Sequence, residues 1–267
     1  AEVQAELLRG NAFEVCLSQR FDLTSPLDGP AIYDVLRAIN QAPMSAYLRV
    51  AGLEVLSASP ERFLALDRGR AVETRPIKGT RPRGRTPAED EALRASLAAS
   101  PKDRAENLMI VDLCRNDLGK VCDFGSVRVA ELCGVRPYAF TWQMVSTIRG
   151  RLRDGLGPID LVRAAFPGGS MTGAPKIEAI KIIDRLEPTE RGVFSGALGY
   201  FDLDGALDLS IVIRTLVKQG DRITFHVGGA IVVDSDPDEE YQETLDKAHG
   251  LVLALEGARA AAEGRDG

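Results

Sequence analysis

The sequence is short of the residues that build most metal and redox centres. Of 267 residues only two are histidine, His226 and His249, and four are cysteine, Cys16, Cys114, Cys122 and Cys133. No two cysteines have CxxC spacing, so a zinc site is not expected. Four scattered thiols fit a reducing cytoplasm, where they serve as small buried hydrophobes. A basic excess is also missing. The net charge is −6, whereas a general nucleic-acid binder carries clustered positive charge, so no nucleic-acid partner is expected. No stretch approaches roughly eighteen uninterrupted apolar residues, so no membrane span is expected. The acidic, helix-patterned N-terminus does not read as a signal peptide. Internal repeats, low-complexity tracts and long linkers are absent. What is present is 45% hydrophobic residues, enough to bury a substantial core as one large domain or two small ones. A single domain over residues 1–267 is the expectation.

Apolar spacing places a short helix at Val3, Leu7 and Leu8 and a second at Ile32, Val35, Leu36 and Ile39. Strand-like runs follow at 46–50, 53–57 and 62–66, split by Gly52 and Pro60. Residues 75–85 read as a loop and 89–100 as an exposed helix. A helix is expected over 103–118 and another over 174–186, with Pro175 in its first turn, where a missing N–H does no harm. The last third predicts strands at 193–201, 207–217 and 222–233 and a helix over 237–255. Strands in hairpin-like pairs with helices interspersed favour an α+β fold with largely antiparallel sheet.

Within this frame a few residues carry chemistry. Lys78 lies in RPIKGTRPRG, residues 75–84, between Pro76, which fixes its own φ, and Gly79, which permits a sharp bend. A crowd of arginines at 75, 81, 83 and 85 would lower a lysine's pKa and free its amine as a nucleophile. By itself the segment reads first as a basic surface loop. Asp103 and Glu106 share a helix face, and Glu240 and Glu243 repeat that spacing. Few carboxylates with room for water suit Mg²⁺, although on spacing alone solvated helix faces come first. Residues 166–176, FPGGSMTGAPK, form a glycine-rich turn feeding a helix, either a cradle for an anion or simply a tight turn. It is not a P-loop, because its lysine and hydroxyl are misplaced. Arg214 falls inside an apolar run and needs an anion, a structural carboxylate or a substrate's. Gly228 and Gly229 mark a bulge or a close backbone approach to a ligand. Lys247, one turn after Glu243, reads as an i,i+4 ion pair or as a contact to a second anion.

Six segments in order resemble the signature blocks of the chorismate-utilising enzymes. They are RPIKGTRPRG, DRAENLMIVDLCRNDLGK, FPGGSMTGAPKIEAI, SGALGYFD, IVIRTL and VGGAIVVDSDPDEEYQETLDKA. The resemblance runs from the segment 13–18 to Lys247. It implies an α+β fold (an α/β sandwich) in which two largely antiparallel sheets pack face to face with helices outside. It also implies a further N-terminal stretch in full-length members that is missing here.

Lys78 decides the branch, since anthranilate synthases normally have alanine there, in PIAGT. The resemblance therefore implies amination of chorismate to 4-amino-4-deoxychorismate, on the route to p-aminobenzoate and folate. The lysine attacks ring carbon two and expels the hydroxyl at carbon four, and ammonia then enters at carbon four. Glu61 would be the general acid for the departing hydroxyl. Glu106 and Glu243 would bind Mg²⁺, supported by Asp103 and Glu240. Arg214 and the Gly228-Gly229 backbone would hold the enolpyruvyl carboxylate, and Thr80, Ser170 and Lys247 would complete the anion pocket.

Ammonia would come from a separate glutamine amidotransferase subunit, because the chain has no recognisable glutaminase triad. Glu14 stands where water-using relatives have a lysine base, which argues against isochorismate or salicylate formation. Gln143, taken as a substrate contact, replaces a histidine that anthranilate synthases associate with pyruvate elimination. Phe194 replaces a tyrosine common near the substrate. The alternatives are an anthranilate synthase component I and a non-catalytic chorismate-binding module.

Overall fold

The apolar periodicities do become helices, and most runs between them become antiparallel strands. A computed structural model describes residues 1–264. The chain begins with α1 (Glu2–Leu8), β1 (Glu14–Thr24), α2 (Gly29–Ile39), β2 (Met44–Val50) and β3 (Leu53–Ser59). It continues with β4 (Arg62–Leu66), β5 (Ala71–Arg75), β6 (Ile77–Pro82), α3 (Pro87–Ala99), α4 (Pro101–Gly119), β7 (Arg128–Pro137), β8 (Thr141–Arg151) and α5 (Pro158–Ala165). A 3₁₀ turn (Gly169–Met171) and the short β9 (Gly173–Ala174) lead into α6 (Lys176–Leu186). The last elements are β10 (Ala197–Phe201), β11 (Leu207–Ile211), β12 (Thr215–Gln219), β13 (Arg222–Ile231) and α7 (Pro237–Glu263). Among the described residues no helix is long and apolar enough to cross a membrane.

These elements form two compact units. The first comprises Ala1–Pro60, Ile177–Gly196 and the chain from Val212 onward. Its strands run in the order β2-β3-β12-β13-β1, antiparallel at every pairing. One sheet face is covered by α2 and α7, where Ile32 and Leu36 meet Leu56, Leu216, Phe225 and Leu251 in a buried cluster. Each such side chain contributes about 1.5–3 kcal/mol of transfer free energy. A second cluster joins α1 to α6 through Val3, Leu7, Ala179 and Ile182. Asp236 caps α7 by accepting from the Asp238 and Glu239 amides, and the helix runs past its expected end at 255 to Glu263. Its last turns are alanine-rich, which favours continuation.

The second unit comprises Glu61–Lys176 and Ala197–Ile211. Its seven-stranded sheet has the order β10-β11-β4-β5-β8-β6, with β7 also paired to β8. Thr86 and Ser100 cap α3 and α4, each accepting from the amide three residues on. Pro87 and Pro101 occupy the following position, where no N–H is needed.

Four expectations are corrected. Lys78 lies on strand β6, not in a loop. Residues 193–196 form turns, closed by Phe194 N–H to Arg191 O and Gly196 N–H to Val193 O, so the strand expected from 193 starts at Ala197. The run 207–217 is not one strand. It breaks at 212–214, where Arg214 takes φ 52°, and the chain passes from the second unit to the first. Finally, α6 starts at Lys176, after β9, not at 174.

Candidate active site

The second unit places Glu61 immediately before β4, 5% exposed. Its carboxylate accepts from the Ser170 hydroxyl at 2.7 Å. Burial pushes its pKa from 4.5 to about 7, against the Ser170 hydrogen bond, the positive charge of Lys78 and a hydrogen bond with the Ile77 backbone. A carboxyl in that range is substantially protonated at neutral pH and can donate its proton. Beside it lies a cavity of about 20 Å³ lined by Thr74, Cys114, Asp117, Gly169 and Ser170 among others, too small for a substrate ring.

Lys78 is half-buried on β6. The arginines around it do not stand as unpaired like charges. Arg75 pairs with Glu73 at 2.7 Å, Arg81 with Asp103 at 2.8 Å and Arg83 with Asp90 at 2.7 Å. Gly79 has φ 90°, and a Cβ there would lie 2.9 Å from the Cβ of Asp103, so only glycine lets this strand approach α4 so closely. Thr80 is the cross-strand partner of Gln143 on β8. Gln143 is buried, and its Oε1 has no hydrogen-bond partner. An orphaned buried acceptor costs free energy unless a donor reaches it.

The acids of α4 are held in place from two sides. Ser100 caps the helix at Asp103, and Asn107 ties it to β8, its amide donating to Met144 O at 3.2 Å. The Asn107 Oδ1 accepts from the Ser146 hydroxyl, which itself accepts from the Cys133 amide at 2.9 Å. Glu106 is half-buried on the same helix, one turn beyond Asp103.

In the first unit Arg214 is partly buried, and its Nη1 donates to Lys247 O at 3.1 Å. Burial lowers its pKa, against the pull of the Glu243 carboxylate. The Lys247 ammonium donates to Gly228 O at 2.8 Å and pairs with Glu243 at 2.6 Å, so the i,i+4 ion pair does form. Gly228, Gly229 and Glu240 line a pocket of about 220 Å³ with Ser18 and Tyr241. A Cβ on Gly228 would lie 2.2 Å from Leu17 O, and Glu240 crowds Gly229 at 3.0 Å. These glycines therefore serve close backbone packing. Glu240 is buried and accepts from the Ser235 hydroxyl at 2.7 Å.

Asp103 and Glu106 in the second unit, and Glu240 and Glu243 in the first, offer carboxylate oxygens, the donor type that hard cations such as Mg²⁺ take. Among the described residues no three His, Cys, Asp or Glu side chains gather as a ready-made metal cage.

Sequence reasoning missed two features. Glu187 accepts from the Ser18 amide and hydroxyl and pairs with Arg191, which also donates to Cys16 O. Glu73 gathers Arg62, Arg75 and Arg149. Arg191 and Arg75 are local partners, but Ser18 and Cys16 reach the first cluster from β1, and Arg62 and Arg149 reach Glu73 from β4 and β8, so neither cluster is visible in the linear sequence.

Residues 1–252 match the family described as chorismate binding enzyme, and the chain belongs to that family. It is 55% identical to the aminodeoxychorismate synthase of Streptomyces pristinaespiralis, over 96% of this chain and 36% of that protein. It is 49% identical to aminodeoxychorismate synthase component 1 of Salmonella typhimurium, over 96% of this chain and 56% of the relative. The crystal structure of anthranilate synthase component I from Streptococcus pneumoniae superposes with a TM-score of 0.86 at 34% identity, over 94% of this chain and 55% of that one. This chain thus spans about a third to somewhat over half of the length of these proteins.

Proposed function

We propose that this chain carries the catalytic machinery that converts chorismate and ammonia to 4-amino-4-deoxychorismate and water. The observation that supports it most is the combination of Glu61, just before β4, with Lys78 on β6. Glu61 is a buried carboxyl with a pKa of about 7, and the nearby Lys78 is a primary amine whose charge it feels. The Lys78 nitrogen, once it has given its extra proton to solvent and stands as the neutral amine, attacks ring carbon two, the double bond shifts, and the carbon-four hydroxyl leaves as water with the proton of Glu61. Ammonia then bonds to carbon four, the bond to Lys78 breaks, and Glu61 takes back a proton from the new amine.

Ser170 orients the Glu61 carboxyl, Thr80 and Gln143 offer polar contacts to substrate, and Arg214, Lys247 and the Gly228-Gly229 backbone bind its carboxylates. Mg²⁺ is the proposed cofactor, with Glu106 and Glu243 as ligands and Asp103 and Glu240 as their supports. When bound, it supplies charge neutralisation at a substrate carboxylate.

Ammonia from a glutamine amidotransferase subunit fits the state of the cysteines. Burial pushes the Cys114 thiol up to about 12 and the Cys122 thiol up to about 11. Cys16 and Cys133 are buried, and thiols so placed make poor glutaminase nucleophiles.

The test is product identity by mass spectrometry after incubation with chorismate, Mg²⁺ and excess ammonium. The expected product exchanges a hydroxyl for an amine and keeps the enolpyruvyl group, and K78A should abolish or divert it. Anthranilate would overturn the reading in favour of the synthase named for it. Chorismate binding without turnover, even with an amidotransferase added, would favour a binding module. Unchanged product and rate in K78A would remove the covalent step.

A further inference from the structure

Lys176 is the last residue of the glycine-rich segment, and none of the roles above uses it. Its ammonium donates to Ala165 O at 2.8 Å and to Asp117 Oδ2 at 2.5 Å. Ala165 ends α5, just before the ten residues 166–175, and Lys176 follows them directly, so one side chain closes this loop at its two ends. Asp117 lies near the C-terminal end of α4 and is buried. Its other oxygen takes Lys120 at 2.8 Å. The Lys176–Asp117 pair is itself mostly covered, with side chains 15% and 7% exposed.

Between the clasped ends, the loop is pressed from two sides. A Cβ on Gly168 would lie 2.6 Å from Ile211 Cδ1, and one on Gly169 would lie 3.2 Å from Leu113 Cδ1 on α4. Thr172 adds an internal bond by donating to Gly168 O at 3.2 Å. The residue this arrangement fixes is Ser170, whose hydroxyl meets Glu61.

We propose that Lys176 and Asp117 are positioning residues: their ion pair clasps the 166–175 loop onto α4 and so holds the Ser170 hydroxyl on Glu61. Asp117 lines the small cavity beside Glu61, but the hydrogen bonds of the pair run to the ends of the loop and to Lys120, and it is through the loop that it reaches Ser170. Hydrogen-bonded, mostly buried ion pairs are sensitive to loss of one partner, because the other charge is left without compensation. Removing either charge therefore releases the loop before it disturbs the sheet that carries Glu61. The inference rests on the reading of Glu61 as proton donor only for its effect on turnover. The placement of Ser170 can be read without it.

The test follows the protonation of Glu61 by infrared difference spectroscopy, with the carboxyl band assigned by its loss in E61Q. The Ser170 hydrogen bond favours the carboxylate, so S170A should raise the titration midpoint. K176M and D117N should raise it by the same amount, K176R should restore the wild-type value, and K176M/S170A should rise no further than S170A alone. Circular dichroism selects the variants that fold. Should K176M fail to fold, D117N and its double variant with S170A decide in its place. An unmoved midpoint in a folded variant, or a shift that adds to that of S170A, would overturn the clasp. Full turnover by E61Q would instead overturn the role of Glu61 and leave the clasp result standing.

Discussion

Glu61, just before β4, and Glu73, on the neighbouring β5, lie in the same unit, and their surroundings drive them in opposite directions. Burial raises both. At Glu73 the bonds from Arg149, Arg75 and Arg62 outweigh it and hold the carboxyl below its ordinary range. At Glu61 burial prevails over a neutral hydroxyl, a backbone contact and one lysine, and the pKa climbs to about 7. The difference is one of partners. Several guanidinium donors fix a carboxylate as permanent charge, whereas a hydroxyl donor in a dry site leaves the proton exchangeable. Glu73 thus braces β4, β5 and β8, and Glu61 is left available for proton transfer.

The largest expected effect that would break this contrast is on turnover. E61Q cannot give up or regain a proton and should lose about 10²- to 10⁴-fold in kcat, measured as product formed from chorismate and ammonium. E73Q should keep the shape of the pH–rate profile, because Glu73 is held below its ordinary range and does not change charge near neutral pH. A profile that moved as far in E73Q as in S170A would erase the distinction.

Stability should sort the two residues the other way. E73Q leaves the arginines gathered around it without their carboxylate and should cost about 1–3 kcal/mol in urea unfolding, tempered by the partial exposure of Arg75 and Arg149. E61Q removes a group that resists burial when charged, so it should cost less above neutral pH.

The subtlest expected effect is the sign of the pH dependence. Glu61 has its pKa raised on folding, so its contribution is full below about 4.5 and is lost as pH rises through about 7. Glu73 has its pKa depressed, so its contribution is present above about 4.5 and is lost as pH falls through its folded value. Thermal unfolding across pH should therefore flatten between about 4.5 and 7 in E61Q and below 4.5 in E73Q. The same window flattening in both variants would mean that the two sites do not differ as described.

Much of the helical framework was legible because burial there follows a regular period. Ile32 and Leu36 recur at helical spacing, and both are fully buried. The strands β5 to β8 were not legible. In β7 the register shifts at Val129/Glu131 and again at Glu131/Gly134, with Cys133 at φ 54°, so alternation is broken. In β8 the buried positions include Gln143, Ser146 and Thr147, which read as polar in sequence but are hidden in the fold. Arg214 was misplaced for a related reason. Its apolar neighbours spell one long strand, while the backbone turns at that residue.

The candidate residues themselves were recognisable from their motifs, since the resemblance supplies identities in order along the chain. It could not supply their states. The arginines near Lys78 looked like a field of repulsion, and each paired one turns out to be answered by a carboxylate on β5, α3 or α4.

The sequence by itself determined the family, the helix-forming periodicities, and which lysine and which carboxylates stand at the signature positions. Those are properties of residue type and spacing, which the linear chain carries in full. Only the tertiary structure decided that Glu61 holds an exchangeable proton while Glu73 does not, that Gln143 keeps an unmet acceptor, and that Lys176 closes a loop onto α4. Each of these depends on solvent exclusion and on partners far apart in sequence, and neither has a value until the chain has folded.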